Sequence, residues 1–230
     1  MLVEKASAIL KRISHAALRA GRSPDRVVLI AVTKTVDIEK IKEAVDAGLR
    51  IFGENRVQEA QKKIPGLKSQ VSDSEIEWHL IGHLQKNKAK YAVRLFDLIQ
   101  TINSVELAEE INRQAEKIDK IQKVLVQVKL SGEETKHGVP EEELVPLLKT
   151  VKGMDNLRLK GLMAIPPFFE NPEMTRPYFR RLRELSDMAE KAGFELTELS
   201  MGMSNDFEVA IEEGATMVRI GTALFGERST

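Results

Sequence analysis

Lys34 stands directly after an apolar run, Val27 to Thr33, in the order V-V-L-I-A-V-T. A lysine held against apolar walls loses favourable hydration of its ammonium, so its pKa should fall and its free amine can attack a carbonyl. That suits a lysine that forms a Schiff base. The plainer alternative is a strand-end lysine that buries its stem and keeps its charge in water. Position alone leaves both open.

Other chemistry-bearing residues fall in short motifs. S-M-G-M-S-N-D, Ser200 to Asp206, offers two hydroxyls, Ser200 and Ser204, around a turn at Gly202 and before a helix. Free N–H groups and the positive end of the helix dipole there would favour a phosphate dianion; an ordinary capped loop would look the same. M-V-R-I-G-T carries Arg219 inside a strand, pointing opposite to Val218 and Ile220. An inward guanidinium needs an acceptor, either a structural carboxylate or a ligand. Gly221 and Thr222 follow, giving close backbone approach and another hydroxyl.

Three further stretches have weaker signals. F-G-E-N-R-V-Q-E holds Asn55, which can bond a ligand or cap a helix. W-H-L-I-G-H-L-Q-K-N-K holds His79 and His83 four residues apart, but the segment reads as strand then loop and lacks the glutamate of H-E-x-x-H. A zinc site is not expected there, and a satisfied structural histidine is the default. T-K-H-G holds Lys136, facing an anion or solvent. An aldehyde bearing a phosphate and a heteroaromatic ring would use the lysine, the hydroxyl loop and the arginine together.

These residues need a frame. Strand-like runs are expected at Val27 to Thr33, Leu49 to Phe52, Ile76 to Ile81, Asp97 to Ile102, Lys123 to Leu130, Leu157 to Ile165, Leu196 to Met201 and Met217 to Gly221. Helical patterns separate them: one capped by Asp37, then Arg56 to Lys63, Asn87 to Leu95, Ser104 to Lys117, Glu141 to Val151, Glu173 to Ala192 and Asp206 to Glu213. Asn103 with Glu106, and Asn205 with Glu208, have capping-box spacing, while Gly48, Gly193 and Gly214 mark helix ends. Pro146 blurs the bounds of the fifth of these helices. Val3, Ala6, Leu10, Ile13 and Ala17 form one face of an additional N-terminal helix. Strict alternation without a linker predicts a (β/α)8 barrel with that extra helix, over residues 1–230 as one domain. A doubly wound open sheet is the alternative. In a barrel every residue singled out above falls at or near the C-terminal ends of strands, where barrel chemistry gathers.

Composition narrows the function. The 230 residues carry 35 Lys+Arg against 35 Asp+Glu, so nothing favours a general polyanion partner such as nucleic acid. There is no cysteine, which excludes disulfides, thiolate zinc sites and cysteine nucleophiles. The longest apolar run, Val27 to Val32, is far short of the roughly 20 residues of a membrane span. Charges at Glu4, Lys5, Lys11 and Arg12 break any secretory signal. A cytoplasmic protein is expected.

On A-V-T-K, F-G-E-N-R-V-Q-E, W-H-L-I-G-H-L-Q-K-N-K, T-K-H-G, G-L-M-A-I, R-P-Y-F, S-M-G-M-S-N-D and V-R-I-G-T-A-L-F-G, the chain resembles the pyridoxal phosphate homeostasis proteins (the YggS/PROSC group). Their barrel is similar to the N-terminal barrel of alanine racemase. The resemblance implies that Lys34 holds pyridoxal 5′-phosphate as a Schiff base. It implies that Ser200, Ser204, Gly221 and Thr222 line the phosphate site, with Met201 near the cofactor and Arg219 facing the pyridine nitrogen. Asn55 and His79 would lie in or just behind the contacting shell. A cation at the ring nitrogen disfavours its protonation and weakens the ring as an electron sink.

The same resemblance implies a missing part. Alanine racemase adds a C-terminal domain, and a tyrosine from its partner subunit supplies a second acid/base. Here the chain ends shortly after the last expected strand, and Tyr91 and Tyr178 both fall on expected outer helices. Two-base racemisation therefore lacks a component. The C-terminus, F-G-E-R-S-T, also lacks the lysine-rich tail of some relatives. The expected function is reversible holding of pyridoxal phosphate, for buffering or for delivery to apo-enzymes, in a monomer without dedicated turnover. A racemase with Lys34 as sole base is the alternative, and a barrel binding another phosphorylated ligand is the third reading.

Overall fold

The computed structural model describes residues 1–71, 76–130 and 137–226. Among these, eight strands form one closed ring: β1 (Val28–Val32), β2 (Ile51–Glu54), β3 (Glu77–Leu80), β4 (Leu98–Ile102), β5 (Gln122–Gln127), β6 (Leu157–Met163), β7 (Glu198–Met203) and β8 (Met217–Ile220). Every neighbouring pair is parallel, and β8 returns to β1 through Val28 opposite Met217 and Ile30 opposite Arg219. That closing pair makes a (β/α)8 barrel and excludes the open sheet.

Helices α1 (Leu2–Arg19), α2 (Ile38–Asp46), α3 (Val57–Lys68), α4 (Ala89–Leu95), α5 (Val105–Glu116), α6 (Glu141–Lys152), α7 (Arg176–Lys191), α8 (Phe207–Glu212) and α9 (Thr222–Phe225) surround the ring. The additional N-terminal helix exists, but its buried face is Ala6, Ile9, Ile13, Ala16 and Ala17. Val3 and Leu10, expected on that face, are largely exposed. The packed stripe is rotated towards Ile9 and Ala16, and half-exposed ion pairs from Arg12 to Glu208 and from Arg19 to Glu212 run along its edge.

Element ends differ from expectation for local reasons. β2 begins at Ile51 because Leu49 N–H is spent on Ala44 O (3.0 Å), closing α2 past Gly48 at φ +91°. Asp37 caps α2 by accepting from Lys40 N at 2.8 Å, as expected. The cap of α5 is Ser104, accepting from Leu107 N, rather than Asn103. Asn205 does not cap α8 either; its amide donates to Phe169 O, and Asp206 holds the N-cap position. A 3₁₀ turn, Pro172–Thr175, precedes α7, so the helix starts at Arg176 rather than Glu173. Pro146 is tolerated inside a continuous α6. Lys136, in the T-K-H-G motif, lies outside the described residues.

The large apolar core lies between the ring and the helices, and Val218 and Ile220 belong to it. The interior of the ring is smaller and separate, built from Ile30, Leu98, Leu125, Met163 and Met217. Strand alternation continues those inward positions towards the C-terminal ends, through Gln100, Ser200 and Arg219. All three are buried. The upper half of the interior is therefore polar, and it opens at the mouth where β1 gives way to Lys34.

Candidate functional site

A cavity of about 240 Å³ opens at the C-terminal mouth of the barrel. Lys34, Asn55, Ser204, Arg219, Gly221 and Thr222 line it, together with Asp206 and an apolar wall of Val32, Ile81, Ile165, Phe168 and Met203. A second cavity of about 200 Å³ lies on the other side of Lys34, between the β1–α2 loop and α9, and adds Asp37, Lys40 and Phe225. Lys34 is half-buried, and among the described residues its amine engages no hydrogen-bond or ion-pair partner.

Arg219 is the deepest charged group of the mouth. It is buried, donating through one terminal nitrogen to Ser200 Oγ (2.7 Å) and through the other to Ala164 O (2.8 Å). Burial lowers its pKa to about 10, with the charge of Asp206 acting the other way, so it stays a cation at neutral pH. Burial raises the carboxyl of Asp206, while its bond from Met203 N and the charge of Arg219 oppose the shift. Among the described residues no carboxylate is hydrogen-bonded to Arg219, and its remaining N–H groups belong to a side chain that lines the cavity. A buried guanidinium with spare donors is matched by a ligand acceptor.

Ser200, His79 and Met201 do not line this cavity. Ser200 and His79 stand behind Arg219 in one hydrogen-bonded chain. Arg219 can only donate, so Ser200 Oγ accepts from it and passes its own hydrogen to Gln100 Oε1 at 2.6 Å. Gln100 then presents its amide nitrogen to His79 Nδ1 at 3.0 Å, which must accept. The chain thus assigns His79 the Nε2–H tautomer. Its Nε2 faces Glu77 Oε1 at 3.3 Å, close but off hydrogen-bond alignment. The nearness of His79 first, and of Lys123 further, lowers the pKa of the Glu77 carboxyl. Met201 is fully buried in the outer core. The register between β7 and β8 shifts between Ser200 and Met203, with Gly202 at φ +91°, so Met203 takes the cavity position. A side chain on Gly202 would sit 2.6 Å from Ala210 Cβ.

Gln100 carried no sequence signal, because L-I-Q-T-I reads as an ordinary buried strand. In the structure it joins Ser200 to His79, so Gln100→Leu should orphan both. Each unsatisfied buried partner costs about 1–3 kcal/mol. At about 2–4 °C per kcal/mol for a chain of this size, a fall in Tm of at least about 4 °C by calorimetry is expected, and an unchanged Tm would refute the chain as a stabilising element.

Asn55 Oδ1 is buried at the mouth without a partner among the described residues. Its backbone is pressed against Gly82, where any Cβ would meet Asn55 O at 2.2 Å. Nearby His83 stacks on His137, with ring centroids 3.9 Å apart. Burial is the main cause that lowers the pKa of His83, and the charge of His137 adds to it. Neither tyrosine lines the cavity; Tyr91 is on α4, and Tyr178 is on α7 beside Phe169. Among the described residues no group of His, Asp and Glu could hold a metal ion, and no helix is long and apolar enough to cross a membrane.

Comparison with known proteins agrees with this architecture. The family described as "Alanine racemase, N-terminal domain" matches residues 6–229. The pyridoxal phosphate homeostasis protein of Aquifex aeolicus (strain VF5) is 50% identical over 226 residues, covering 98% of this chain and 97% of that protein. The structure of PipY from Synechococcus elongatus PCC7942 with PLP bound superposes with a TM-score of 0.86 at 37% identity, covering 98% of this chain and 100% of that one. Alanine racemase from Clostridium difficile 630 shares the fold, with a TM-score of 0.74 at 18% identity, over 96% of this chain and 56% of that chain.

Proposed function

This chain belongs to the pyridoxal phosphate homeostasis proteins, within the alanine racemase N-terminal domain family, and from that premise we propose that it holds pyridoxal 5′-phosphate reversibly at the barrel mouth. The observation that carries the reading is the pairing of Lys34, an amine without a partner among the described residues, with Arg219, a buried cation with spare donors, on one cavity. When bound, the cofactor supplies an aldehyde, a pyridine ring and a phosphate.

The residues fit each of those parts. Lys34, as the free amine, would hold the aldehyde carbon covalently and reversibly. Arg219 would donate towards the ring nitrogen and disfavour its protonation, because a second positive charge beside a buried guanidinium is unfavourable. Ser204, Gly221 and Thr222 would hold the phosphate where β7 and β8 end, with the two hydroxyls and the close approach that Gly221 allows; Ala223 N–H donates to Ser204 Oγ at 3.3 Å and ties the two loops together. Asn55 gives an amide to the ring side, and Ile81, Met203 and Phe168 exclude water from it. Ser200 and His79 act on the cofactor through Arg219 rather than by touching it.

The titratable groups lining the cavity are Lys34, Asp206 and Arg219. Asp206, whose Oδ1 accepts from Met203 N, is the one acid sharing the cavity with Lys34, and no tyrosine lines it to complete a two-base proton transfer of the alanine racemase kind. We therefore read the protein, over residues 1–230, as a monomeric cytoplasmic carrier that buffers a reactive aldehyde and passes it to apo-enzymes, without turnover of its own.

The test is visible absorption of the protein with pyridoxal phosphate, then borohydride reduction and peptide mapping. A yellow band fixed by reduction onto the Lys34 peptide is expected. Absence of any mass gain would overturn the reading. Transfer of bound cofactor to an apo-enzyme, with no solvent deuterium entering the α-position of amino acids, is expected of a carrier; deuterium entry would establish a racemase instead.

A further inference from the structure

Lys34 occupies the second position of a four-residue turn, Thr33 to Val36, closed by Val36 N donating to Thr33 O at 2.9 Å. The third position is Thr35, at φ +64°. Turns of this kind normally place glycine there, because a β-branched residue in the left-handed region is strained by roughly 1–3 kcal/mol. Such a residue persists only where its surroundings over-determine it.

A buried ionic cluster does so here. Lys63 on α3 directs its three donors at Thr33 O (2.6 Å), Glu54 Oε1 (3.0 Å) and Glu59 Oε1 (2.6 Å). Glu54 Oε1 also accepts from Thr33 Oγ1 at 2.7 Å. Glu59 Oε1 also accepts from Thr35 N at 2.6 Å. The residue before Lys34 and the residue after it are thus fastened to one cluster, and Glu54, Glu59 and Lys63 line neither cavity that Lys34 enters. Lys63 and Glu54 are buried, so the cluster is not a solvated surface pair. Glu54 Oε2 has no partner among the described residues. Burial raises the carboxyl of Glu54 against the pull of Thr33 and Lys63, whereas Lys63, Thr35 N and Arg56 hold Glu59 low.

We propose that Lys63 and Glu59 are positioning residues for Lys34, holding the strained turn so that the amine is presented to the barrel mouth. The proposal rests on the cofactor reading above and extends it to residues that touch no cofactor. It separates two properties of the site. The phosphate contacts and Arg219 come from β7, β8 and the loops after them, which Lys63 and Glu59 do not touch; of the residues on the ring side only Asn55, next in the chain to Glu54, adjoins the cluster. The cluster governs only where the stem of Lys34 begins. A displacement of the order of 1 Å at a reacting group costs on the order of 100-fold in rate.

The experiment compares two ligands on wild-type, Lys63→Met and Glu59→Ala proteins. Pyridoxal 5′-phosphate reports capture, as the rate of borohydride-fixable label on the Lys34 peptide. Pyridoxine 5′-phosphate, which has no aldehyde, reports the rest of the site by its Kd. Capture should slow about 10- to 100-fold in both variants, while the Kd for pyridoxine 5′-phosphate stays at the wild-type value. Glu59→Gln keeps an acceptor for Thr35 N–H and should recover most of the rate. Glu59 is partly exposed, so its variants report even if Lys63→Met fails to fold. Wild-type capture in Glu59→Ala, or a parallel loss of pyridoxine 5′-phosphate affinity, would overturn the proposal. A wild-type protein that takes no label on Lys34 would overturn the cofactor reading, and this inference with it.

Discussion

Lys34→Ala should abolish borohydride-stable attachment of pyridoxal phosphate while leaving the fold intact. The side chain is half-buried and engages no partner among the described residues, so truncation leaves no buried donor or acceptor orphaned. Substitutions of that kind cost about 0.5 kcal/mol or less, and Tm should stay within about 2 °C of wild type. The effect on capture is all-or-none, because no other amine lines the larger cavity. Intact mass after reduction reads it directly: the wild-type chain gains one pyridoxyl phosphate and the variant gains none. Lys40, on the smaller cavity beside Lys34, is the control. A label that moves to Lys40 in the variant would mean that the aldehyde can settle on the opposite side of the β1–α2 turn. Full labelling at an unchanged rate would remove Lys34 from the mechanism.

Much of this site was legible because barrel folding converts strand parity into depth. A residue two positions further along a strand stands about 6.6 Å nearer the mouth on the same face. Arg219 was conspicuous as a charge at an inward position, and Lys34 as a charge just beyond an apolar strand. Parity fails where the strand is irregular. The shift between Ser200 and Met203 turns Met201 outward and brings Met203 to the cavity, and only the left-handed Gly202 hinted at it. Depth was the other hidden quantity. Ser200 is paired with Met217, one inward layer below Arg219, so its hydroxyl serves the arginine rather than the mouth. His79, further along the same chain, stands behind Ser200 and Gln100, on the outer side of the shell in which the resemblance places it. The cluster behind Lys34 left a trace in F-G-E-N-R-V-Q-E: a glutamate at the end of a buried strand, followed by Glu59 and Lys63 at helical i, i+4 spacing. Sequence could not show that these charges close on the turn holding the lysine.

Gly161→Ala should be among the most damaging single-methyl changes in the ring, and its damage should reach the site. Gly161 is paired with Leu125 on one side and Glu198 on the other, where the β5–β6 register shifts. A Cβ there would lie 1.8 Å from Glu198 O and 2.9 Å from Glu198 N. The obstacle is backbone, so no rotamer change relieves it. β6 and β7 must separate, and the ladder bonds near Glu198 are lost with them. Overpacking alone costs about 1–3 kcal/mol, and each lost ladder bond adds about 1 kcal/mol. A loss of roughly 3 kcal/mol lowers Tm by about 6–12 °C in a chain of this size. The same displacement moves Ser200, two residues after Glu198, and strains the bond from Ala164 N to Ser200 O. Arg219 is anchored on Ser200 Oγ and Ala164 O, so both of its tethers loosen together. Affinity for pyridoxine 5′-phosphate should therefore fall in Gly161→Ala, in contrast to the Lys63 and Glu59 variants, which disturb only the lysine. Calorimetry and binding on the same preparation decide it. A Tm within 2 °C of wild type would show that β6 and β7 can part without cost at Gly161, and an unchanged Kd with a lowered Tm would uncouple Arg219 from the strand pair that carries its tethers.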